Sequence, residues 1–158
     1  MTTFLHKVAR ETTRTRIAVA KPKQANEILV DLVLAATASA DWSQPGFQGR
    51  LDRCRSTRGE VLLATLTYCY ALGMYSSSHI EFEIYRNRNN AQLVAQVNLD
   101  RRSLARFRKY NRDLIKVCLM QVLAQMVPFS TVRTEDLAQE AEDRIEHAAA
   151  CDFLDFED

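Results

Sequence analysis

Glycine and proline are scarce in this chain, four and three in 158 residues, and that scarcity points to long helices. The four cysteines, Cys54, Cys69, Cys118 and Cys151, lie far apart with no Cys-x-x-Cys pair. That argues against zinc and against a disulfide framework, and fits reduced, mostly buried thiols in a cytosol. His6, His79 and His147 are isolated and form no ligand pattern, so neither a metal nor a cofactor is expected. The longest apolar run, Val61 to Tyr75, is only about 15 residues and contains Thr and Gly, too short and too polar to span a bilayer. No Ser/His/Asp or Cys/His constellation and no glycine-rich phosphate loop occurs, so enzyme activity is not expected.

What is present is ordinary for a soluble domain, 47% hydrophobic and 26% charged, and long enough to bury a core. The formal charge of +1 hides an asymmetry. From Glu135 onward ten of the 20 acids stand against Arg144 alone, about −9; residues 1 to 134 keep 20 of the 21 Lys and Arg and ten acids, about +10. The body is basic and the C-terminal segment acidic.

Residues 1–24 read as a flexible basic arm, rich in Arg, Lys and Thr with Glu11 as their one acid and only a weak likeness to a transit peptide. Order should begin near Asn26, which can cap a helix running to about Ser39 with Ile28, Leu29, Leu32, Val33 and Ala36 on one face. Asp41 to Gly49 has turn chemistry, and Trp42 and Phe47 are expected to fold back onto the core. Arg50 to Arg58 carries four arginines, read equally as solvated or as contacting DNA. From Gly59 to Leu72 the sequence is apolar nearly all round, as in a helix buried on several sides. Gly73 should end it, and Ser78 with Glu81 has the spacing of a capping box for the next helix, with Ile80 and Ile84 inward and Phe82 as a further candidate for that side. A short helix over Ala91 to Val97, a turn at Asn98-Leu99 and a basic helix then have the order of a helix-turn-helix.

Asp100 to Ile115 is the most directional stretch. Wound at about 100° per residue it gathers Leu104, Phe107, Asn111, Leu114 and Ile115 on a stripe that continues to Cys118. Arg101, Arg102, Arg106, Arg108, Lys109, Arg112 and Lys116 are expected on the other side, interrupted by Asp113, with Asp100 capping the start. A solvated face normally mixes both signs, because opposite charges at i,i+4 stabilise it. Seven cations of one sign suit phosphate. Beyond Lys116, apolar residues occupy every side as far as Val127, which calls for a homodimer or a docked C-terminal helix.

Two motifs resemble a known family. Tyr68-Cys69-Tyr70-Ala71-Leu72-Gly73-Met74-Tyr75-Ser76-Ser77-Ser78-His79-Ile80-Glu81, followed by Asp100-Arg101-Arg102-Ser103-Leu104-Ala105-Arg106-Phe107-Arg108, is similar to the InsH-type N-terminal domain of bacterial insertion-sequence transposases. The family has Pro where this chain has Leu99, Thr where it has Ser103, and Arg where it has Ser78 or His79. The resemblance implies an all-α, compact helical bundle containing a helix-turn-helix over residues 25–127. It also implies a non-catalytic protein that binds double-stranded DNA in the bacterial cytoplasm, at the nucleoid, with a separate catalytic transposase subunit as a further partner. With the basic face, it gives as expected DNA-binding residues Arg101, Arg102, Ser103, Arg106, Arg108, Lys109, Arg112 and Lys116, the last three from the charge pattern alone. Residues 128–158 depart from the family: an acidic helix from about Glu135 to Ala150 leads to Asp152, Asp155, Glu157 and Asp158, read as a solvated terminus. That helix either competes with phosphate for the basic face or packs through Leu137, Ala141, Ile145 and Ala148. The reading from a different class is a helical interaction or oligomerisation adaptor whose basic face docks an acidic partner; a decayed fragment without a role is the third.

Overall fold

The computed structural model describes residues 22–42, 57–86, 98–127 and 132–157, and among them all regular structure is helical. The helices are α1 (Pro22–Ala38), α2 (Thr57–Leu72), α3 (Ser77–Arg86), α4 (Arg101–Tyr110), α5 (Arg112–Met126) and α6 (Thr134–Glu157). The expected helix over Ala91 to Val97, Phe47 and the arginines of residues 50–56 lie outside the described residues, as does the arm up to residue 21. Of the expected helix-turn-helix, only the residues from Asn98 onward lie among the described residues.

Helix α1 begins at Pro22, one turn before the expected cap at Asn26, because proline in a first turn lacks only an N–H that would have no partner there. Its inward side is Leu29, Val30, Val33 and Ala36, while Ile28 is exposed. Helix α2 is buried almost throughout, from Val61 to Ala71, as its unbroken apolar sequence requires. Gly73 closes it at φ +82, with its N–H on the Tyr70 carbonyl and the Met74 N–H on the Cys69 carbonyl at 2.8 Å. These two bonds make a Schellman cap, a conformation that glycine adopts without steric cost. The cap of α3 is Ser76, whose carbonyl accepts from Ile80 and whose Oγ accepts from the His79 N–H. The expected Ser78 and Glu81 box sits two residues too late. Ile80 and Ile84 point inward as expected, but Phe82, two residues from each and so on the other side of the helix, is exposed.

Helix α5 is the centre, packed by α1, α2 and α6. Leu114, Ile115, Cys118, Leu119, Val122, Leu123 and Met126 are all buried, so a docked C-terminal helix covers the side that α1 and α2 leave open. That helix is seven residues longer than the expected end at Ala150. Ala141, Ile145 and Ala148 on it are fully covered and Leu137 packs against the core. Helices α3 and α4 lie against each other and against the last turns of α6.

Candidate nucleic-acid interface

The basic stretch is two helices, not one. Asp100 begins α4 as expected, accepting from the Ser103 N–H and the Ser103 hydroxyl, both at 2.9 Å. Ten residues later the backbone bends at Asn111, where ψ is +29 rather than about −42. Asn111 is buried; its Nδ2 donates to the Phe107 carbonyl at 2.8 Å, its N–H donates to the same carbonyl at 2.9 Å and its own carbonyl accepts from Ile115 at 3.0 Å, so both of its backbone groups are paired across the bend. A wheel counted from Asp100 therefore stops applying at Arg112.

The expected contact residues separate into three groups. Arg101, Arg102, Arg106 and Lys109 are exposed or lie at the exposed edge of α4, a helix without a single acid. Among the described residues none of these four is in an ion pair. Arg101 stands over the Phe156 ring, 5.4 Å from its centre, and Lys109 stands 5.8 Å from that of Tyr110. Ser103, half-buried, spends its hydroxyl on the Asp100 cap.

The second group, Arg112 and Lys116, faces α6. Arg112 Nε donates to Glu142 at 2.7 Å and its Nη2 reaches Glu142 and, at 3.1 Å, Glu146; Lys116 Nζ lies 2.9 Å from Glu142. The Lys116 hydrogen bond, opposed by partial burial and aided by Arg112, holds the Glu142 carboxyl below its ordinary value. The acidic helix thus packs by its apolar stripe and also meets the basic segment by charge.

Arg108 forms the third group and corrects the expectation that it points outward. It is 6% exposed, with Nη1 donating to the Tyr70 hydroxyl at 3.2 Å and Nη2 to Asp152 at 2.5 Å. The wheel already contained this: Arg108 follows Leu104 by four residues and so sits only about 40° from it, on the apolar stripe. Asp152 is the matching correction, since it is 3% exposed and not part of a solvated terminus. Besides Arg108 it accepts from the Ser77 N–H at 2.7 Å and the Ser77 hydroxyl at 2.6 Å. A carboxylate is well placed there, because the first amides of α3 have no helical acceptor and carry the positive end of its dipole. Asp155 adds a bond from the Ser76 hydroxyl.

Arg144 does the reverse at the end of α2. Buried beside Glu140, which accepts from its Nε at 2.7 Å, it donates Nη1 to the Tyr70 and Ala71 carbonyls at 2.7 and 3.0 Å. One helix therefore carries a cation for the C-terminus of α2 and an anion for the N-terminus of α3, clamping the turn between them. Nothing in the spacing of Arg144 and Asp152 on α6 announces these partners, which are about 70 residues away and meet only in the fold.

Burial raises the thiols of Cys69 and Cys118 to about 12 and the Tyr70 phenol higher still, the Arg108 charge partly opposing it. None of these groups is poised to react near neutral pH. Among the described residues no group of three or more His, Cys, Asp or Glu is placed to hold a metal ion, and no helix is long and apolar enough to cross a membrane.

The first of the two motifs has a structural account: Tyr68 and Tyr70 are core residues, Gly73 is the helix terminator, and Ser76 and Ser77 open α3. Comparison of the chain with protein-family models, with curated proteins and with solved structures finds no match. The likeness rests on the two motifs alone.

Proposed function

We propose that this chain is a non-catalytic DNA-binding protein that meets duplex phosphates with the outward face of α4. The observation that carries the reading is a ten-residue helix with no acid whose exposed Arg102, Arg106 and Lys109 are in no ion pair among the described residues. Holding like charges side by side without partners costs free energy in the free protein, and phosphate removes that cost. Asp100 and the bend at Asn111 limit the face to α4, and the buried Leu104 and Phe107 fix which way it points. The likeness to a transposase N-terminal domain agrees with this reading. Arg112 and Lys116 contribute less than the bare sequence implies, because Glu142 and Glu146 already neutralise them.

The test is retention of a mixed-sequence duplex across a salt series. Three phosphates neutralised correspond to a slope of about −3 in log affinity against log salt, at ~0.9 per phosphate. Reversing Arg102, Arg106 and Lys109 to Glu should abolish binding and leave the melting temperature nearly unchanged, since exposed charges contribute little to folding. A folded triple variant that still binds refutes the assignment.

A second reading is an adaptor whose basic surface docks an acidic partner, and the seating of the chain's own acidic helix on Arg112 and Lys116 favours it. It predicts no duplex retention at any salt concentration.

A further inference from the structure

Between α4 and the last turns of α6 lies an open groove of about 720 Å³. Its floor holds the Arg108 and Asp152 pair, its rim holds Arg106 and Lys109, and its walls include Tyr110, Phe153 and Phe156. The three rings are 48%, 63% and 44% exposed. Single exposed apolar side chains are ordinary, but three aromatic rings about one basic groove are not required by the packing around them. Two of the rings have a cation near one face, Arg101 over Phe156 and Lys109 over Tyr110.

Flat rings beside arginine and lysine match a ligand that is itself flat, aromatic and joined to an anion. A nucleotide has this composition, its base stacking on a ring and its phosphate meeting a cation. In a duplex the base faces are already stacked on one another, so only unpaired bases can enter such a groove. A peptide bearing acidic and apolar side chains would match the charges as well. The rings decide between them, because stacking uses aromatic faces that an aliphatic side chain would engage no better than a leucine wall.

We propose that the groove between α4 and α6 binds unpaired nucleotides, with bases stacked on Phe153, Phe156 and Tyr110, and with Arg106 and Lys109, at the rim where the groove meets the outward face of α4, holding the phosphates at the junction of strand and duplex. The proposal rests on the DNA-binding reading of α4 and narrows it: the preferred ligand is a duplex with a single-stranded tail. The outward α4 face holds the duplex, and the groove holds the strand that leaves it.

Fluorescence polarisation with three labelled probes tests this: a mixed-sequence single strand, a blunt duplex of the same sequence, and that duplex with a single-stranded tail. The tailed duplex should bind about tenfold more tightly than the blunt one, as expected for at least one stacked base. Phe153→Ala together with Phe156→Ala should abolish that preference and leave blunt-duplex affinity unchanged. Tyr110→Ser, on the opposite wall, should lower the preference too, and answers the question if the double variant does not fold. Equal affinity for tailed and blunt probes, or a preference that survives these substitutions, overturns the groove assignment while duplex binding stands. No retention of any probe overturns both readings. Binding of an acidic amphipathic peptide that is lost in the phenylalanine variant, with no oligonucleotide bound, assigns the groove to a protein partner and overturns the proposal.

Discussion

Asp152→Ala removes one carboxylate and leaves three buried groups without their acceptor: the Arg108 guanidinium, the Ser77 N–H and the Ser77 hydroxyl. Arg108 keeps only the Tyr70 hydroxyl, and with 6% exposure it cannot recover its hydration without movement of α4 or α6. Breaking a buried pair from one side costs about 3–5 kcal/mol, because the remaining charge is uncompensated. A domain of this size has a total stability of about 5–15 kcal/mol, so the variant should fold but with much of its margin gone. With a urea m-value of about 2 kcal/mol/M the unfolding midpoint should fall by about 2 M, read by circular dichroism at the helix band. Arg108→Met with Asp152→Leu removes both charges together, and should be less destabilised than Asp152→Ala although the Ser77 N–H still lacks its acceptor. A midpoint shift below about 0.5 M for Asp152→Ala would refute the argument that this pair locks α6 across α3 and α4. So would a double variant no more stable than the single one.

Other outcomes follow from the same geometry. Glu142→Gln with Glu146→Gln releases Arg112 and Lys116, and should tighten duplex binding and steepen its salt dependence by up to about two phosphates' worth. Point changes are the right instrument, since deletion from Glu135 would remove Ala141, Ile145 and Ala148 from the core and should unfold the domain. Because the Glu142 carboxyl is held below its ordinary value of 4.5, its ion pairs stabilise the fold fully above that pH and are lost as pH falls through the depressed value. An acid titration of Glu142→Gln followed by thermal melting should accordingly lose less stability below pH ~4 than the parent. Cys69 and Cys118, with thiols raised to about 12 by burial, should stay silent to a thiol reagent at neutral pH until denaturant is added, while the half-buried Cys151, its thiol raised by burial and by Asp155 and Asp152, should react slowly in the folded protein. Gly73→Ala should cost about 1–2 kcal/mol in chemical unfolding, from the left-handed backbone alone, because an added Cβ would meet nothing closer than the Tyr75 hydroxyl at 3.8 Å.

Local patterns were legible wherever the information is local. Gly73 as a terminator, Asp100 as a cap, the all-round burial of α2 and the inward Ile80 and Ile84 follow from residue type and helical period. The need of α5 for a covering helix was legible for the same reason, but not on every side as expected: α1, α2 and α6 pack against it, while Asp113, Val117, Gln121 and Gln125 leave it a face for water. The cap of α3 was placed two residues late because Ser76, Ser77 and Ser78 are equivalent in sequence, and the choice falls to Asp152 and Asp155, which bind the first two.

The sequence by itself determined that the chain is helical, where most helices stop, and that cations concentrate on one segment. Composition and period act through neighbours three or four residues away. Only the tertiary structure decided which cations are without an ion pair among the described residues. Arg108, Arg112 and Lys116 resemble Arg102, Arg106 and Lys109 in sequence, yet the first three are matched to Asp152, Glu142 and Glu146 on α6. A formal charge is a property of a residue, but its availability to a phosphate depends on which opposite charge the fold brings within a few ångströms, and no periodicity along the chain encodes that distance.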